Sequence, residues 1–142
     1  MPLHYGSQIK EHEIVRKSCG IFDISHMTII DIDGEDAKEF LKLVLSNDIS
    51  FLNQNYDSMY TCFLNESGGI IDDLIAYKMP IGFRLVVNCA TRKSDLKWLH
   101  KHSENKTVKI VERKDLSMLA IQGPKTYKIL GKCFTEQFSD SL

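Results

Sequence analysis

The chain has 142 residues, a formal net charge of −1 from 18 basic and 19 acidic residues, and a hydrophobic content of 43%. These values fit one ordinary soluble globular domain that buries a core without disulfides or metals. The near-neutral charge gives no electrostatic case for binding nucleic acid or an anionic membrane. No apolar run approaches the roughly 20 residues of a membrane-spanning helix.

The N-terminal residues contain neither the apolar core of a signal peptide nor a basic amphipathic transit segment, so we expect a cytoplasmic protein. The four cysteines lie far apart and form no CxxC pair, which favours reduced, mostly buried thiols over a disulfide or a zinc site. The five histidines show no HExxH or related spacing, so no metal site is expected.

The first third of the chain predicts two helices with a strand between them. Ser7 is a candidate N-cap for a helix over residues 8–17. The second half of the segment 21–33 is a β-branched run and predicts a strand that Asp33-Gly34 terminates. A helix with an inward apolar face is then expected over residues 35–45.

The remainder predicts a meander of three strands, a helix, two further strands and a last helix. Apolar runs bounded by Gly, Pro, Asn and Ser mark the strands, and a proline in its first turn marks the last helix. The expected elements are strands at about 58–64, 70–79, 83–88, 108–112 and 117–121, a turn at 113–115, and helices over 91–102 and from Pro124 to Cys133.

This order of elements predicts an α+β sandwich of the ferredoxin-like, split βαβ kind, with an antiparallel-rich sheet backed by helices on one face. Residues 1–134 are expected to form this domain and residues 135–142 to be a polar tail. The strand at 70–79 is largely apolar on both sides, which predicts a place between two other strands.

A tight turn joins two of the predicted strands over residues 65–69. Asn65, Ser67 and the paired glycines supply the backbone conformations that such a turn needs. Apolar runs flank the turn on both sides, so the segment predicts a β-hairpin.

Two adjacent acids follow this turn, where the next strand begins. Because side chains alternate along a strand, Asp72 and Asp73 face opposite sides. Asp73 shares its side with Ile75 and Tyr77. That side is largely apolar, which predicts a mostly buried carboxylate beside a tyrosine.

A buried acid is costly without a partner, so it usually has a raised pKa, an ion partner or hydrogen-bond donors. One interpretation is a carboxylate at the floor of a pocket, where it meets a basic substrate atom or holds a proton. The alternative is that both acids cap the turn by accepting hydrogen bonds from Gly68, Gly69 or neighbouring amides. Spacing alone favours the turn, since acids near tight turns commonly act in this way.

Several segments together resemble the T-protein family of the glycine cleavage system, the tetrahydrofolate-dependent aminomethyltransferases. The similarity runs in consistent order from Met1 to about Leu130. The segments that carry it are Met1-Pro2-Leu3-His4-Tyr5-Gly6-Ser7-Gln8, Gly20-Ile21-Phe22-Asp23-Ile24-Ser25-His26-Met27, Asn65-Glu66-Ser67-Gly68-Gly69-Ile70-Ile71-Asp72-Asp73-Leu74, Val86-Val87-Asn88 and Ile121-Gln122-Gly123-Pro124.

The resemblance implies a reaction. An aminomethyl carbon held as a thioaminal on the lipoyl arm of the H-protein would pass to tetrahydrofolate, with release of ammonia and formation of 5,10-methylene-tetrahydrofolate. Tetrahydrofolate would be a co-substrate, the lipoylated H-protein a partner, and no metal would be needed. The location would be the cytoplasm, or the mitochondrial matrix in a eukaryote.

The resemblance also implies a site in a channel through a three-domain ring. The family's essential aspartate is the second acid of the motif, here Asp73, which can stabilise positive charge or take a proton. With the family in view Asp73 is favoured as a catalytic residue, and Asp72 is expected to belong to the turn or to support the site. The folate contacts that the motifs imply are Met27, Tyr60, Asp73, Ile75, Tyr77 and Asn88.

Each of these residues also has a purely structural interpretation. Met27, Ile75 and the two tyrosines are ordinary core positions in a sheet of this kind. Asn88 follows a strand and precedes a helix, so it could simply cap that helix. His26 attracts attention as a histidine, but we expect it to make a structural hydrogen bond.

Members of the family are more than twice as long as this chain, so the resemblance covers their N-terminal part. In the family, arginines of the later domains would contact the pterin ring and the glutamate tail, and the N-terminal part that this chain resembles does not include those arginines. We therefore expect the chain alone to bind folate weakly, to turn over negligibly and to self-associate through an exposed docking surface. The alternative function is a non-catalytic folate-fold or interaction domain related to the T-protein.

Overall fold

A computed structural model of the chain describes residues 4–134, so the polar tail expected at 135–142 lies outside the described residues. The helices are α1 (Gln8–Lys17), α2 (Ala37–Val44), α3 (Arg92–Ser103) and α4 (Thr126–Cys133), with a short 3₁₀ helix at Ile49–Phe51. The strands are β1 (Gly20–Asp23), β2 (Thr28–Asp33), β3 (Ser58–Leu64), β4 (Ile70–Lys78), β5 (Phe83–Val87), β6 (Lys109–Glu112) and β7 (Leu119–Gln122).

These elements group into two compact units. The sheet unit is Ser25–Ser117, and the terminal unit is formed by the described parts of Met1–Ile24 and Met118–Leu142. The sheet unit contains strands β2 to β6 with helices α2 and α3, and the terminal unit contains α1, β1, β7 and α4. The assignment of residues 1–134 to one domain stays a prediction.

The sheet unit is built on a five-stranded antiparallel sheet in the order β3-β4-β5-β2-β6. Strand β2 lies between β5 and β6 and is antiparallel to both, so β5, α3 and β6 form a split βαβ unit. Strand β4 lies between β3 and β5, as its two apolar sides predict. The α+β, ferredoxin-like prediction is confirmed.

The core lies on one face of this sheet, beneath α2 and α3. Helix α2 turns Phe40, Leu41 and Val44 inward, and Leu99 enters the same cluster from α3. Each such side chain contributes about 1.5–3 kcal/mol by leaving water. Because alternate strand residues point into this core, the other set of side chains lies on a face that α2 and α3 do not cover.

The turn between β2 and α2 depends on a glycine. Gly34 has a φ of +122°, and a Cβ atom there would lie 2.2 Å from the carbonyl oxygen of Thr107. Its amide donates to Asp33 Oδ1 at 2.7 Å. The predicted end of the strand at Asp33-Gly34 is therefore confirmed, and only glycine fits its second position.

The outer edge of β3 is covered by residues 45–47. The amide of Ser46 donates to the carbonyl of Cys62 at 2.9 Å, and the amide of Cys62 donates to Ser46 Oγ at 3.0 Å. Asn47 Nδ2 donates to the carbonyl of Tyr60 at 2.8 Å. Backbone groups of an edge strand that would otherwise stay unpaired are thus satisfied by this edge segment.

In the terminal unit, β1 and β7 form a two-stranded antiparallel sheet with Gly20 opposite Gln122. Helix α1 has the expected bounds, and the Oγ atom of Ser7 accepts a hydrogen bond from the amide of Lys10 at 3.4 Å. Strand β1 has no counterpart among the predicted elements, because its four residues carry little β-branched character. Helix α4 begins two residues after Pro124.

The turn predicted at residues 113–115 does not join two strands that pair with each other. The amide of Arg113 donates to the carbonyl of Ile29 at 2.8 Å, so β6 follows β2 to its end. The chain then leaves the five-stranded sheet, and β7 pairs with β1. Turn residues mark a change of direction, but they do not determine which strands pair.

The four cysteines are free, as expected. Cys19 and Cys62 are half-buried, whereas Cys89 and Cys133 are exposed. The expectation of mostly buried thiols is therefore wrong for the last two, which lie at a loop and at a helix end, where no core covers them.

Candidate functional site

The candidate site lies on the face of the five-stranded sheet opposite α2 and α3. Tyr60 and Ile75 are opposite each other on β3 and β4, and both are accessible, with 63% and 37% of their surface exposed. Asp73 lies next to them on β4, opposite Cys62. A tyrosine, an aliphatic side chain and an acid are thus presented together to solvent.

A short hydrogen bond joins two of these side chains. Tyr60 Oη donates to Asp73 Oδ2 at 2.7 Å. This hydrogen bond raises the pKa of Tyr60 above its ordinary value, so the hydroxyl keeps its proton and remains a donor. Within residues 4–134, the other oxygen, Asp73 Oδ1, makes only a long contact of 3.4 Å with Asn88 Nδ2, so it can accept a hydrogen bond from a ligand.

Asn88, directly after β5, connects the two acids of the motif. Its Nδ2 donates to Asp72 Oδ1 at 2.9 Å and to the backbone carbonyl of Asp73 at 3.1 Å. Its backbone amide donates to Asp72 Oδ2 at 3.1 Å. The amide nitrogen is therefore committed to the aspartates, and within residues 4–134 no hydrogen bond reaches the amide oxygen.

Asp72 lies on the core side of β4 and is only 5% exposed. Burial raises the pKa of this carboxyl, but hydrogen bonds from the side chain and the backbone of Asn88, with a contribution from Thr91, outweigh burial and hold the pKa below its usual range. Asp72 is therefore an ionised group that holds Asn88 in place.

The predicted burial of Asp73 is wrong, since it lies on the exposed face and the buried acid is its neighbour Asp72. Alternation assigns the two acids to opposite sides of the strand, but it does not tell which side a helix layer covers. Here both sides are largely apolar, so the sequence pattern gave no basis for choosing between them.

The alternative in which the acids cap the turn is also wrong. Asn65 Oδ1 accepts the hydrogen bonds of the turn, from the amide of Ser67 at 3.0 Å and from the amide of Gly69 at 2.8 Å. The carboxylates of Asp72 and Asp73 instead bind Asn88 and Tyr60. The sequence already marks Asn65 as a turn residue, and asparagine side chains commonly accept hydrogen bonds from the backbone amides of their own turn.

The structural interpretations of the remaining residues have mixed outcomes. Tyr60 and Ile75 are exposed, so they are not core residues. Asn88 directs its side chain to the aspartates, and Thr91 takes the N-cap position of α3, so Asn88 is not a helix cap. Tyr77 is half-buried on the same face as Ile75.

Two further candidates lie in the turn that precedes β2. Met27 is half-buried and immediately precedes Thr28, whose neighbour across the sheet is Val87, the residue before Asn88. Its place is thus at the same end of the sheet as Asn88. His26 is exposed in this turn, and the structural hydrogen bond expected of it stays a prediction.

An ion-pair network on the same face was missed by the sequence analysis. Arg84 binds Asp31 through Nε at 2.7 Å and Nη2 at 2.9 Å, and Arg113 Nη1 binds the same carboxylate at 2.6 Å. Burial raises the pKa of Asp31, but the two arginines outweigh burial and lower it. Opposite charges at paired positions of β2 and β5 were the available signal, but it needs the strand order to be known.

Among residues 4–134, no group of three or more His, Cys, Asp or Glu side chains is placed to hold a metal ion. In the same residues no helix combines the length and the apolar character that crossing a membrane requires.

The chain is similar to known proteins in both sequence and fold. The family described as GCVT N-terminal domain matches residues 1–141. An aminomethyltransferase from Alcanivorax borkumensis is 49% identical over 142 residues, which is the whole of this chain and 39% of that relative. The crystal structure of glycine cleavage system aminomethyltransferase T from Bartonella henselae matches with a TM-score of 0.80 and 35% identity, over 87% of this chain and 34% of that one.

The antiparallel split βαβ sheet with helices on one face thus defines an α+β domain with the fold of glycine cleavage T-proteins. The chain belongs to the GCVT N-terminal domain family, and the resemblance seen in the sequence motifs is confirmed. It spans well under half the length of the curated and solved relatives that it matches.

Proposed function

We propose that this chain forms the folate-site part of an aminomethyltransferase of the glycine cleavage system. The assembled enzyme would transfer an aminomethyl carbon from a lipoylated H-protein to tetrahydrofolate and release ammonia and 5,10-methylene-tetrahydrofolate. The observation that carries the proposal is the 2.7 Å hydrogen bond from the exposed Tyr60 to Asp73 on the sheet face opposite α2 and α3, in a chain of this family.

The residues on this face fit a flat heterocycle that bears N–H groups, as the pterin of folate does. The exposed ring of Tyr60 and the side chain of Ile75 offer apolar contact. Asp73 Oδ1 and the amide oxygen of Asn88 offer hydrogen-bond acceptors, because the other polar atoms of both side chains are already engaged. Met27 and Tyr77 would border the same surface.

Asp73 would serve the transfer in two ways. Its negative charge would stabilise the positive charge that develops on the transferred carbon as ammonia leaves. Its Oδ1 atom would take the proton that the attacking nitrogen sheds, since Oδ2 is held by the hydroxyl of Tyr60. Tyr60 would keep the carboxylate in one orientation, which supports the proximity of the reacting groups.

The sheet face supplies one wall of such a site, and a wall alone excludes little water. Hydrogen bonds to charged groups contribute about 1.5–3 kcal/mol each, so binding should depend strongly on groups from the rest of a longer protein. We therefore expect weak folate binding by the 142-residue chain.

A chimera tests the proposal. This chain would replace the matching 39% of the Alcanivorax borkumensis aminomethyltransferase, and glycine-cleavage activity would be measured with lipoylated H-protein and tetrahydrofolate. The chimera should be active, and Asp73→Asn should lower kcat by about 10²–10³-fold, as loss of an electrostatic group at a reacting centre does.

Glu35→Gln, at an exposed position before α2, is the matched control and should leave activity unchanged. Full turnover by the Asp73→Asn chimera would remove Asp73 from the mechanism. A folded chimera that binds 5-formyl-tetrahydrofolate but has no activity would favour the alternative of a non-catalytic folate-fold domain.

A further inference from the structure

Helix α3 contains a buried acid that the proposed reaction does not use. Asp95 is 0% exposed, and within residues 4–134 neither of its carboxyl oxygens has a hydrogen-bond partner. An ionised carboxylate without a donor is strongly disfavoured in a protein core. Asp95 therefore requires either a donor or a proton of its own.

Within residues 4–134 no donor reaches the carboxyl of Asp95; the buried Nε1 of Trp98, three residues later on α3, also lacks a hydrogen-bond partner, so it is not bonded to Asp95. Thr91, one turn earlier on α3, donates its hydroxyl to the carbonyl of Asn88 at 3.1 Å, and a hydroxyl has only one proton to give. Helix α2, which packs against α3, buries only apolar side chains. Arg92, the first residue of α3, binds Glu112 with 2.6 Å between Nη2 and Oε2, so this arginine is already paired with a carboxylate.

Asp72 on β4 is the charged group that acts on Asp95, since burial raises the pKa of Asp95 and the charge of Asp72 raises it further. Both carboxyls are buried, and Thr91, one turn before Asp95, donates to the carbonyl of Asn88, whose amides bind Asp72. Two ionised carboxylates are both acceptors, so they repel each other and form no hydrogen bond. A single proton between them converts this repulsion into a hydrogen bond. Asp72 can then serve as the partner that Asp95 lacks.

The proton belongs on Asp95 because only Asp72 has other donors. Asn88 donates to both oxygens of Asp72, which stabilises its ionised form. Burial and the charge of Asp72 together raise the pKa of Asp95 to about 7. The pair thus resembles other carboxylate pairs that share one proton.

We propose that Asp95 is a neutral carboxylic acid that donates a hydrogen bond to Asp72, and that this buried acid pair positions Asn88. Asp72 would then accept hydrogen bonds from Asp95 below the sheet and from the amides of Asn88 at its edge. Asn88 Nδ2 in turn holds the backbone of Asp73. In this proposal Asp95 is a positioning residue. Its importance for folate chemistry rests on the proposed function, whereas its protonation state is independent of that function.

Carbon-13 NMR of the aspartate carboxyls in the whole chain tests the protonation directly. One carboxyl should titrate with a midpoint near 7, and its signal should be absent in Asp95→Asn. Glu104→Gln, an exposed acid just after the same helix, is the control and should leave that titration in place. If every aspartate carboxyl of the wild type titrates in the ordinary acidic range, the proposal is wrong.

The exchange rate of the Asn88 side-chain amide protons tests the positioning role and needs no ligand. Asp95→Asn keeps a donor toward Asp72, so exchange should stay slow, whereas Asp95→Leu removes the donor and should speed exchange about tenfold or more. Equal exchange rates in wild type and in a folded Asp95→Leu variant would overturn this role. If Asp95→Leu does not fold, fast exchange in Asp95→Asn at neutral pH would overturn it instead.

Discussion

Asp72 and Asp73 are consecutive in the chain, yet they lie on opposite sides of β4, the first buried and the second exposed. Asn88 reaches both through one amide nitrogen. The motif therefore combines a buried acid, Asp72, which holds Asn88 in place, with an exposed acid, Asp73, which a ligand can reach.

Asp72→Asn should destabilise the chain by about 1–3 kcal/mol, because a buried charge that accepts two hydrogen bonds is replaced by an amide that fits those donors poorly. Asp73→Asn should change the free energy of unfolding by less than about 0.5 kcal/mol, since its site is exposed. Urea denaturation at neutral pH measures both. Equal effects of the two substitutions would contradict this division of roles.

The same comparison has a pH dependence. The folded-state pKa of Asp72 lies below the ordinary aspartate value of 3.8, so its contribution is complete above that value and is lost as the pH falls through the folded pKa. The stability difference between wild type and Asp72→Asn should therefore shrink in strong acid. A difference that grows on acidification would contradict the assignment of an ionised Asp72.

The contribution of Asp95 to stability has the opposite pH dependence. Its folded pKa of about 7 lies above the ordinary aspartate value of 3.8, so the native state binds more protons between these values and stability falls as the pH rises through this range. Asp95→Asn should flatten this decline, measured as the urea midpoint at several pH values. Glu104→Gln should leave the decline unchanged.

The hydroxyl of Tyr60 should report the charge of Asp73. The hydrogen bond to Asp73 raises the pKa of Tyr60, so in alkaline titration followed by tyrosinate absorbance one tyrosine should ionise late. Asp73→Asn should move that transition to lower pH, and Tyr60→Phe should remove it. Glu35→Gln should have no effect, and a late transition that survives Tyr60→Phe belongs to another tyrosine.

Asp31→Ala should destabilise the sheet by about 1–3 kcal/mol, because it leaves the partly buried Arg84 and Arg113 without the acceptor that they share. The pKa of Asp31 is lowered, so this contribution is present above the ordinary aspartate value of 3.8 and is lost as the pH falls through the folded pKa. Urea denaturation at neutral and acid pH checks both statements. Equal stability of wild type and variant at neutral pH would contradict a stabilising role for this ion-pair network.

Two leucines in α2 form a matched pair for the core. Leu41 is 0% exposed and Leu43 is 62% exposed, although they are two residues apart. Leu41→Ala should cost about 2–5 kcal/mol, and Leu43→Ala less than about 0.5 kcal/mol. Thermal or urea unfolding distinguishes the two, and similar losses would mean that the helix faces are misassigned.

Most helices and strands of the sheet unit were predictable, because their apolar periodicity is long and bounded by turn residues. Strand β1 and the pairing of β7 were not, since four-residue strands carry little periodicity and their partners are remote in sequence. Pairing is a tertiary property, and local composition does not encode it.

For the site, alternation placed Asp73, Ile75 and Tyr77 on one side of β4 correctly. The contact of Tyr60 with Asp73 requires the register of β3 on β4, which the hairpin only suggests. The roles of Asn88 and Asp95 depend on where α3 lies over the sheet, and no local pattern determines that position.

The edge segment at residues 45–47 decides how a partner can approach Tyr60. Since the backbone of β3 is already engaged there, an incoming peptide cannot extend the sheet as a sixth strand beside Tyr60. Recognition at this tyrosine must therefore come from above the sheet, by a ring or a loop laid across its side chains.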